Sequence, residues 1–335
     1  MPAALEGIRI LDLTRLLPGA VATGWLAEFG AEVIKIEQPS IGDYARDSFA
    51  ELFEQTNGGK KSVEIDLKGS KESFLKLVKS ADVLIEGFRP DVMDRLRLGY
   101  GVLSAENPRL IYVALSGYGA QSLLAGHDVN YLAMSGVLDL FRGENGVPVI
   151  PGVQIADLAG GSMQAVIGIL LALEARHRTG VGQRVDVSMT DGCLALLPVA
   201  RAGGSELLSG RYACYHVYRA AGNSFVAVGA LEPKFWANLC REVGCEGLID
   251  LQFAPEQVAV ISVLSQVFKS ATAEEWFERI GEKDCCVTPV RVAAHGAAPL
   301  PAMSGTPGHA LGRAPRLGEH NEEYLSVGSE TAEEC

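Results

Sequence analysis

Residues 8–13 form an apolar-rich run, and Pro18-Gly19 punctuates the chain after it. The spacing that follows predicts a helix over Ala20–Phe29, stopped by Gly30, and a second strand over Glu32–Glu37. The chain therefore opens on a β-α-β unit. "KKSVEIDLK" alternates as a third strand, "SKESFLKLVKSADVLIEGF" adds a helix and a strand, and "RLIYVALSGYG" adds another strand. Such alternation predicts an α/β fold with a large Rossmann-like domain around a mainly parallel sheet. From Asp157 to Gly180 runs the longest helical pattern, apolar on nearly every side and so expected to be buried. "QRVDVSM" follows as a strand and "TDGCLALLPVARAG" as a helix.

The texture turns small and polar over residues 201–211, a linker. Beyond it, strands at "CYHVYRA" and "SFVAVGA", helices at Pro233–Val243 and Ala273–Ile280, and "DCCVTPV" predict a smaller α+β domain over residues 212–292. Residues 293–315, rich in Ala, Pro and Gly, read as a connector. The large domain is assigned residues 1–200, with the tail of about 301–335 returning to it.

Composition narrows the function classes. The net charge of −12 argues against a nucleic-acid partner, because a phosphate backbone would be repelled. A local basic pocket can still bind a small phosphorylated ligand. Seven cysteines without a CxxC pair indicate neither a zinc site nor a disulfide framework. No charged-then-apolar leader opens the chain and no apolar run reaches about 18 residues uninterrupted, so a cytoplasmic protein with no membrane partner is expected. "LLPGAVATG" is not GxGxxG, so a dinucleotide cofactor is not indicated.

Several side chains are candidates for chemistry, and each has an ordinary structural role beside the functional one. Asp157 at the start of its helix reads first as an N-cap. Gly160 and Gly161 would let a ligand approach the first turn, whose N–H groups suit an oxyanion. His127, directly after Gly126, reads as a turn residue or as a proton carrier facing a cavity. Asp128 is a helix-start residue, Tyr131 a pocket wall, and Glu232 a cap between a strand and a helix. Cys285 and Cys286 read as buried thiols.

"LDLTRLLPGAVATGWLAEFGAEVIKIEQP", "DVLIEGFRPDVMDRLRLG", "NPRLIYVALSGYG", "AGHDVNYLAMSG", "RTGVGQRVDVSM", "VAVGALEPKFW" and "DCCVTPV", in this order from about Gly7 to Val290, resemble the class III CoA-transferase (CaiB/BaiF) family. Within it the likeness is greatest to the α-methylacyl-CoA racemase branch. The resemblance implies catalysis by His127 and Asp157, with Glu232 orienting the histidine. In the transferases of the family, the aspartate matching Asp157 is instead a nucleophile that forms acyl-anhydride and thioester intermediates, and that reading stands as the alternative. The racemases carry "GHD" followed by Asn-Tyr, as this chain does, and the shielding glycine run of the transferases is missing between Tyr212 and Glu232. Coenzyme A is then part of the acyl-CoA substrate and no cofactor is held permanently. Residues implied to meet it are Ile65, Asp66, Leu67, Arg89, Ala125, Gly126, Asp128 and Tyr131. Gln38 stands where the family has an arginine for a coenzyme phosphate, with Lys35, Lys60 or Lys61 as candidate replacements, and Gln154 replaces an asparagine that the resemblance places shortly before the aspartate. The resemblance also implies an interlocked homodimer.

Overall fold

The parallel sheet is centred on strands buried on both faces, residues 83–86 above all. In the computed structural model, which describes residues 2–143, 145–293 and 299–325, the strands of the sheet are β1 (Arg9–Leu13), β2 (Glu32–Glu37), β3 (Lys61–Glu64), β4 (Val83–Glu86), β5 (Ile111–Ser116) and β6 (Arg184–Ser188). They pair in the order β3-β2-β1-β4-β5-β6, every pair parallel. β4 is buried along its whole length, whereas β6 at the edge exposes Arg184 and Asp186. The reversal of order between β1 and β4 makes a topological switch point, and in such sheets ligands bind outside the carboxyl ends of the strands there.

One face of the sheet carries Leu11, Ile34, Ile36, Leu84 and Tyr112, packed on α2 (Lys71–Lys79) through Phe74, Leu77 and Val78. α1 starts at Pro18, whose missing N–H costs nothing in a first turn, and runs to Glu28. α3 (Asp128–Ser135) ends at Gly136 with φ +80°, a conformation that favours glycine. α4 covers residues 156–179, and α5 (Met189–Leu194) follows β6 directly.

Two expectations fail here for physical reasons. α4 is not buried all round: Met163, Ile167, Leu170 and Leu171 form an exposed apolar stripe, while Ala165, Ile169, Ala172 and Arg176 face inward. Although α4 is long and apolar enough to cross a membrane, its inward side packs on β5 and β6 as part of this domain. The helix expected after Met189 ends at Leu194, because Pro198 cannot donate to the Leu194 carbonyl in an α-helical hydrogen-bond ladder and opens a separate turn.

Compactness divides the described chain into residues 2–196 with 299–325, and residues 197–293. The tail joins the first unit through Arg46 Nη1 to the Pro315 carbonyl at 2.9 Å and Gly318 N–H to Ser62 Oγ at 2.9 Å. The second unit holds the antiparallel sheet β7 (Tyr215–Arg219), β8 (Phe225–Gly229) and β9 (Val287–Pro289), covered by α6 (Pro233–Glu242), α7 (Gln257–Phe268) and α8 (Ala273–Ile280). Its core is built on Tyr218, Trp236, Leu264, Phe268 and Trp276. α7 was not anticipated: its mean composition is apolar without a strong polar stripe, so periodicity does not announce it.

Candidate active site

The segment Gly126–Tyr131 is shaped by its own backbone. His127 is the N-cap of α3 in extended conformation, donates its main-chain N–H to Asn130 Oδ1 at 3.1 Å and accepts the Asn130 N–H at 2.8 Å. A Cβ on Gly126 would lie 2.4 Å from the Tyr118 hydroxyl, so only glycine passes beside the edge-to-face Tyr118–Tyr131 pair. Tyr131 is buried and its hydroxyl donates to the Gly126 carbonyl at 2.5 Å. The His127 imidazole is left at the exposed end of this turn.

Asp157 meets the same turn from α4. It is the second helical residue and not an N-cap, since Ile155 precedes the helix in helical conformation. Its main-chain N–H donates to Asp128 Oδ1 at 2.9 Å, which ties the starts of α3 and α4 together. That bond also occupies the N–H that an oxyanion role would use. The first turn, Ala156–Ser162, is widened to i→i+5 hydrogen bonding, a form found often at functional sites. Gly160 and Gly161 do not admit a ligand. A Cβ on Gly160 would lie 2.4 Å from the Met189 carbonyl and one on Gly192 would lie 2.1 Å from the Gly160 carbonyl, so these glycines let α4 and α5 cross closely.

Half-burial pushes the Asp157 carboxyl up to about 6, the neighbouring Asp128 adds to this, and His127 opposes it. Among the described residues no hydrogen bond reaches its carboxylate oxygens. A carboxyl in this range exchanges protons readily near neutrality. It also costs stability. A folded-state value raised from 3.8 means that the stabilising protonated form is fully present below about pH 4 and is lost as pH rises through about 6. Asp157→Asn is therefore expected to raise unfolding free energy by about 1–2 kcal/mol at pH 7.5, discounted for partial exposure, and to change nothing below pH 4. Urea titrations of both proteins at the two pH values check this; a loss of stability at pH 7.5 would count against it.

Of the residues implied to meet coenzyme A, five line two neighbouring clefts, while Ala125, Gly126, Asp128 and Tyr131 line neither of these. Gln38, Ile65, Asp66 and Leu67 line one, with Arg15 and Lys68 beside them. Arg89 lines the neighbouring one with Glu86, Tyr112 and Arg184, and donates to the Leu123 carbonyl at 3.3 Å. Burial pushes the Glu86 carboxyl there up to about 7. Phe88 borders both clefts. Ala125 is exposed beside His127, and Gln154 is exposed before α4.

Lys35 and Lys60 cannot replace an arginine at position 38. Both are fully buried and paired, Lys35 with Asp43 at 2.9 Å and Lys60 with Asp12 at 3.2 Å. Lys61 pairs with Ile34 at the far end of the strand from Gln38. The cation that does reach Gln38 is Arg15, with Nη2 3.5 Å from Oε1. The signal was present in the strand register. β1 pairs with β2 at a constant offset, Arg9 with Glu32 through Asp12 with Lys35, and continuing that offset brings Arg15 to Gln38.

A model of CoA-transferase family III matches residues 5–298. The chain belongs to that family. Alpha-methylacyl-CoA racemase of Homo sapiens is 36% identical over 96% of this chain and 92% of its own length. Acetyl-CoA:oxalate CoA-transferase of Acetobacter aceti is 35% identical over 87% of this chain and 82% of its own. The crystal structure of the hypothetical protein Rv3272 from Mycobacterium tuberculosis superposes with a TM-score of 0.83 at 27% identity, covering 96% of this chain and 99% of that one. Membership of family III makes this protein an enzyme acting on acyl-CoA, with coenzyme A carried by the substrate.

In this family III member Glu232 lies on the second unit, as the exposed N-cap of α6 whose side chain makes no capping bond. Cys285 is buried, but Cys286 is exposed, at φ +51°. Partial burial and the Glu232 and Asp284 carboxylates push the Cys286 thiol up, which disfavours a thiolate nucleophile.

Proposed function

We propose that this protein is a racemase or epimerase of 2-methyl-branched or related α-substituted acyl-CoA thioesters, with His127 and Asp157 as its two acid–base groups. The feature that supports the reading is the bond from the Asp157 N–H to Asp128 Oδ1 at 2.9 Å, which ties together the helix starts carrying His127 and Asp157, with the Asp157 carboxyl pushed up to about 6. An α-proton beside a thioester is a weak acid, and its removal needs a base in place and a group to return a proton. In one direction the Asp157 carboxylate takes the α-proton and the C–H electron pair moves into the thioester carbonyl as an enolate. Protonated His127 then delivers its proton to the opposite face. The reverse direction starts from neutral His127 and protonated Asp157, so no other bond breaks and no further reactant is needed. Glu232 is retained as the residue the family pattern assigns to directing the imidazole, and the proton exchange does not rest on it.

The relative that is an acetyl-CoA:oxalate CoA-transferase supports a second reading, in which Asp157 attacks the acyl-CoA and the coenzyme passes to an acceptor acid. Incubation of a single enantiomer of a 2-methylacyl-CoA in D2O separates the two. The racemase incorporates one deuterium at the α-carbon and loses optical purity without any acceptor. Coenzyme transfer to added oxalate or succinate, with no α-deuterium for any branched acyl-CoA, would overturn the proposal in favour of the transferase. The homodimer belongs to the same reading, since the exposed stripe Met163, Ile167, Leu170 and Leu171 is apolar surface that a second copy would cover. Sedimentation at micromolar concentration should give twice the chain mass; a monomer would remove this part.

A further inference from the structure

The cleft that holds Gln38 lies outside the carboxyl ends of β1–β4, at the switch point of the sheet. Its walls are apolar where Leu13, Ile36, Ile65 and Phe88 face it. Arg15 enters from the β1–α1 loop. Its Nη1 donates to the Tyr44 hydroxyl at 2.7 Å, Nη2 reaches Gln38, and the guanidinium lies 4.8 Å from the centre of the Tyr44 ring. Every one of these partners is neutral. Among the described residues no carboxylate pairs with Arg15, although the chain carries a net charge of −12.

Of the two acids that border the cleft, Glu37 is neutralised by an arginine and, among the described residues, Asp66 accepts only a local backbone N–H. Glu37 pairs with Arg46 at 2.6 Å and accepts from Ser62, and Asp66 Oδ1 accepts the Lys68 N–H at 3.0 Å. Lys68, without an ion-pair partner among the described residues, adds a second cation to the cleft, and the adjoining cleft, which shares Lys68, adds Lys71. A planar guanidinium held in place by neutral groups, without a counter-ion, suits an oxyanion with two oxygens in its plane.

The loop is also held on both sides of Arg15. Lys35 Nζ donates to the Thr14 carbonyl at 2.9 Å, and Asp43 Oδ1 accepts the Leu16 N–H at 3.1 Å. Leu16 sits at φ +60°, a left-handed conformation that a leucine keeps only where its surroundings impose it. The buried Lys35–Asp43 pair thus aims Arg15 without touching the cleft.

We infer that Arg15, oriented by Tyr44 and Gln38 and by the buried Lys35–Asp43 pair, binds a phosphate group of the coenzyme in this protein. The inference rests on the acyl-CoA reading of the fold and adds the residue that supplies the charge missing at position 38. Titration calorimetry with coenzyme A, dephospho-coenzyme A and pantetheine, on the parent protein, Arg15→Gln and Arg15→Lys, tests it. Arg15→Gln should weaken coenzyme A binding about 10- to 100-fold, the range for a charge-assisted hydrogen bond, and leave pantetheine unchanged. Arg15→Lys should fall between, because the charge stays while the fork is lost. A loss confined to coenzyme A assigns the 3′-phosphate, and a loss shared with dephospho-coenzyme A assigns the pyrophosphate. Equal weakening of pantetheine, or unchanged coenzyme A binding in Arg15→Gln, overturns the inference. A parent protein that binds no coenzyme A defeats the acyl-CoA reading instead.

Discussion

Asp157→Ala and His127→Ala are each expected to abolish inversion of a chiral acyl-CoA, with the rate of inversion falling about 10²- to 10⁴-fold, the usual worth of a positioned acid or base. The more telling outcome is directional. With one base gone, the remaining group can still exchange the α-proton on its own face. Each variant should therefore wash deuterium into one enantiomer only, and the two variants should favour opposite enantiomers. A nucleophilic Asp157 predicts a different pattern, in which Asp157→Ala is inactive in every assay and His127→Ala keeps nearly full coenzyme transfer. Proton NMR of each pure enantiomer in D2O reads the distinction directly. The idea fails if His127→Ala inverts the substrate at the parental rate.

Asp12→Ala is expected to cost about 3–5 kcal/mol of unfolding free energy at pH 7, much of the total stability of an ordinary domain. Asp12 is fully buried at the end of β1 and accepts from Lys60, Thr14 and Thr23. Burial works against its ionisation, but Lys35, Lys60 and the two hydroxyls outweigh that and hold it at about 2. Because the folded value lies below 3.8, its stabilisation is present above about pH 4 and is lost as pH falls through about 2. Removing the carboxylate leaves Lys60, already pushed down to about 8 by burial, without its counter-ion. Guanidinium denaturation of Asp12→Ala checks the cost. Asp12→Leu combined with Lys60→Met should recover most of it, since an apolar pair of similar volume removes both charges. A single-variant cost under about 1 kcal/mol would show that the cluster is not the closed ionic core described here.

Much of the architecture was readable because parallel strands advertise themselves. Glu32–Glu37 was delimited to the residue by its β-branched run between glycine and proline, and a helix was placed near Ala273–Ile280, where the structure has one that opens on a Thr272–Glu275 capping box. What stayed hidden depended on neighbours distant in sequence. Lys35 looks like a surface cation in "EVIKIE", and only the loop carrying Asp43 folds over to bury it. Asp128 reads as a helix-start residue, yet its carboxylate holds the backbone of Asp157, which lies on another helix. Arg15 was passed over because its relation to Gln38 exists only once β1 and β2 are in register. The apolar count of α4 suggested burial all round, but it could not distinguish surface packed within this chain from surface left outside it.

The widened first turn of α4 sets the direction in which Asp157 points. Ala165, the first of the inward-facing positions below the turn, is eight steps along the chain from Asp157. In an uninterrupted α-helix eight steps overshoot two full revolutions by about 80°, which would bring Leu158 nearer to that inward line and swing Asp157 past it. The extra residue taken up between Ala156 and Ser162 cancels the overshoot. Helix phase, and not only the neighbouring charge of Asp128, accounts for a carboxyl that is half-buried and whose charged form is disfavoured.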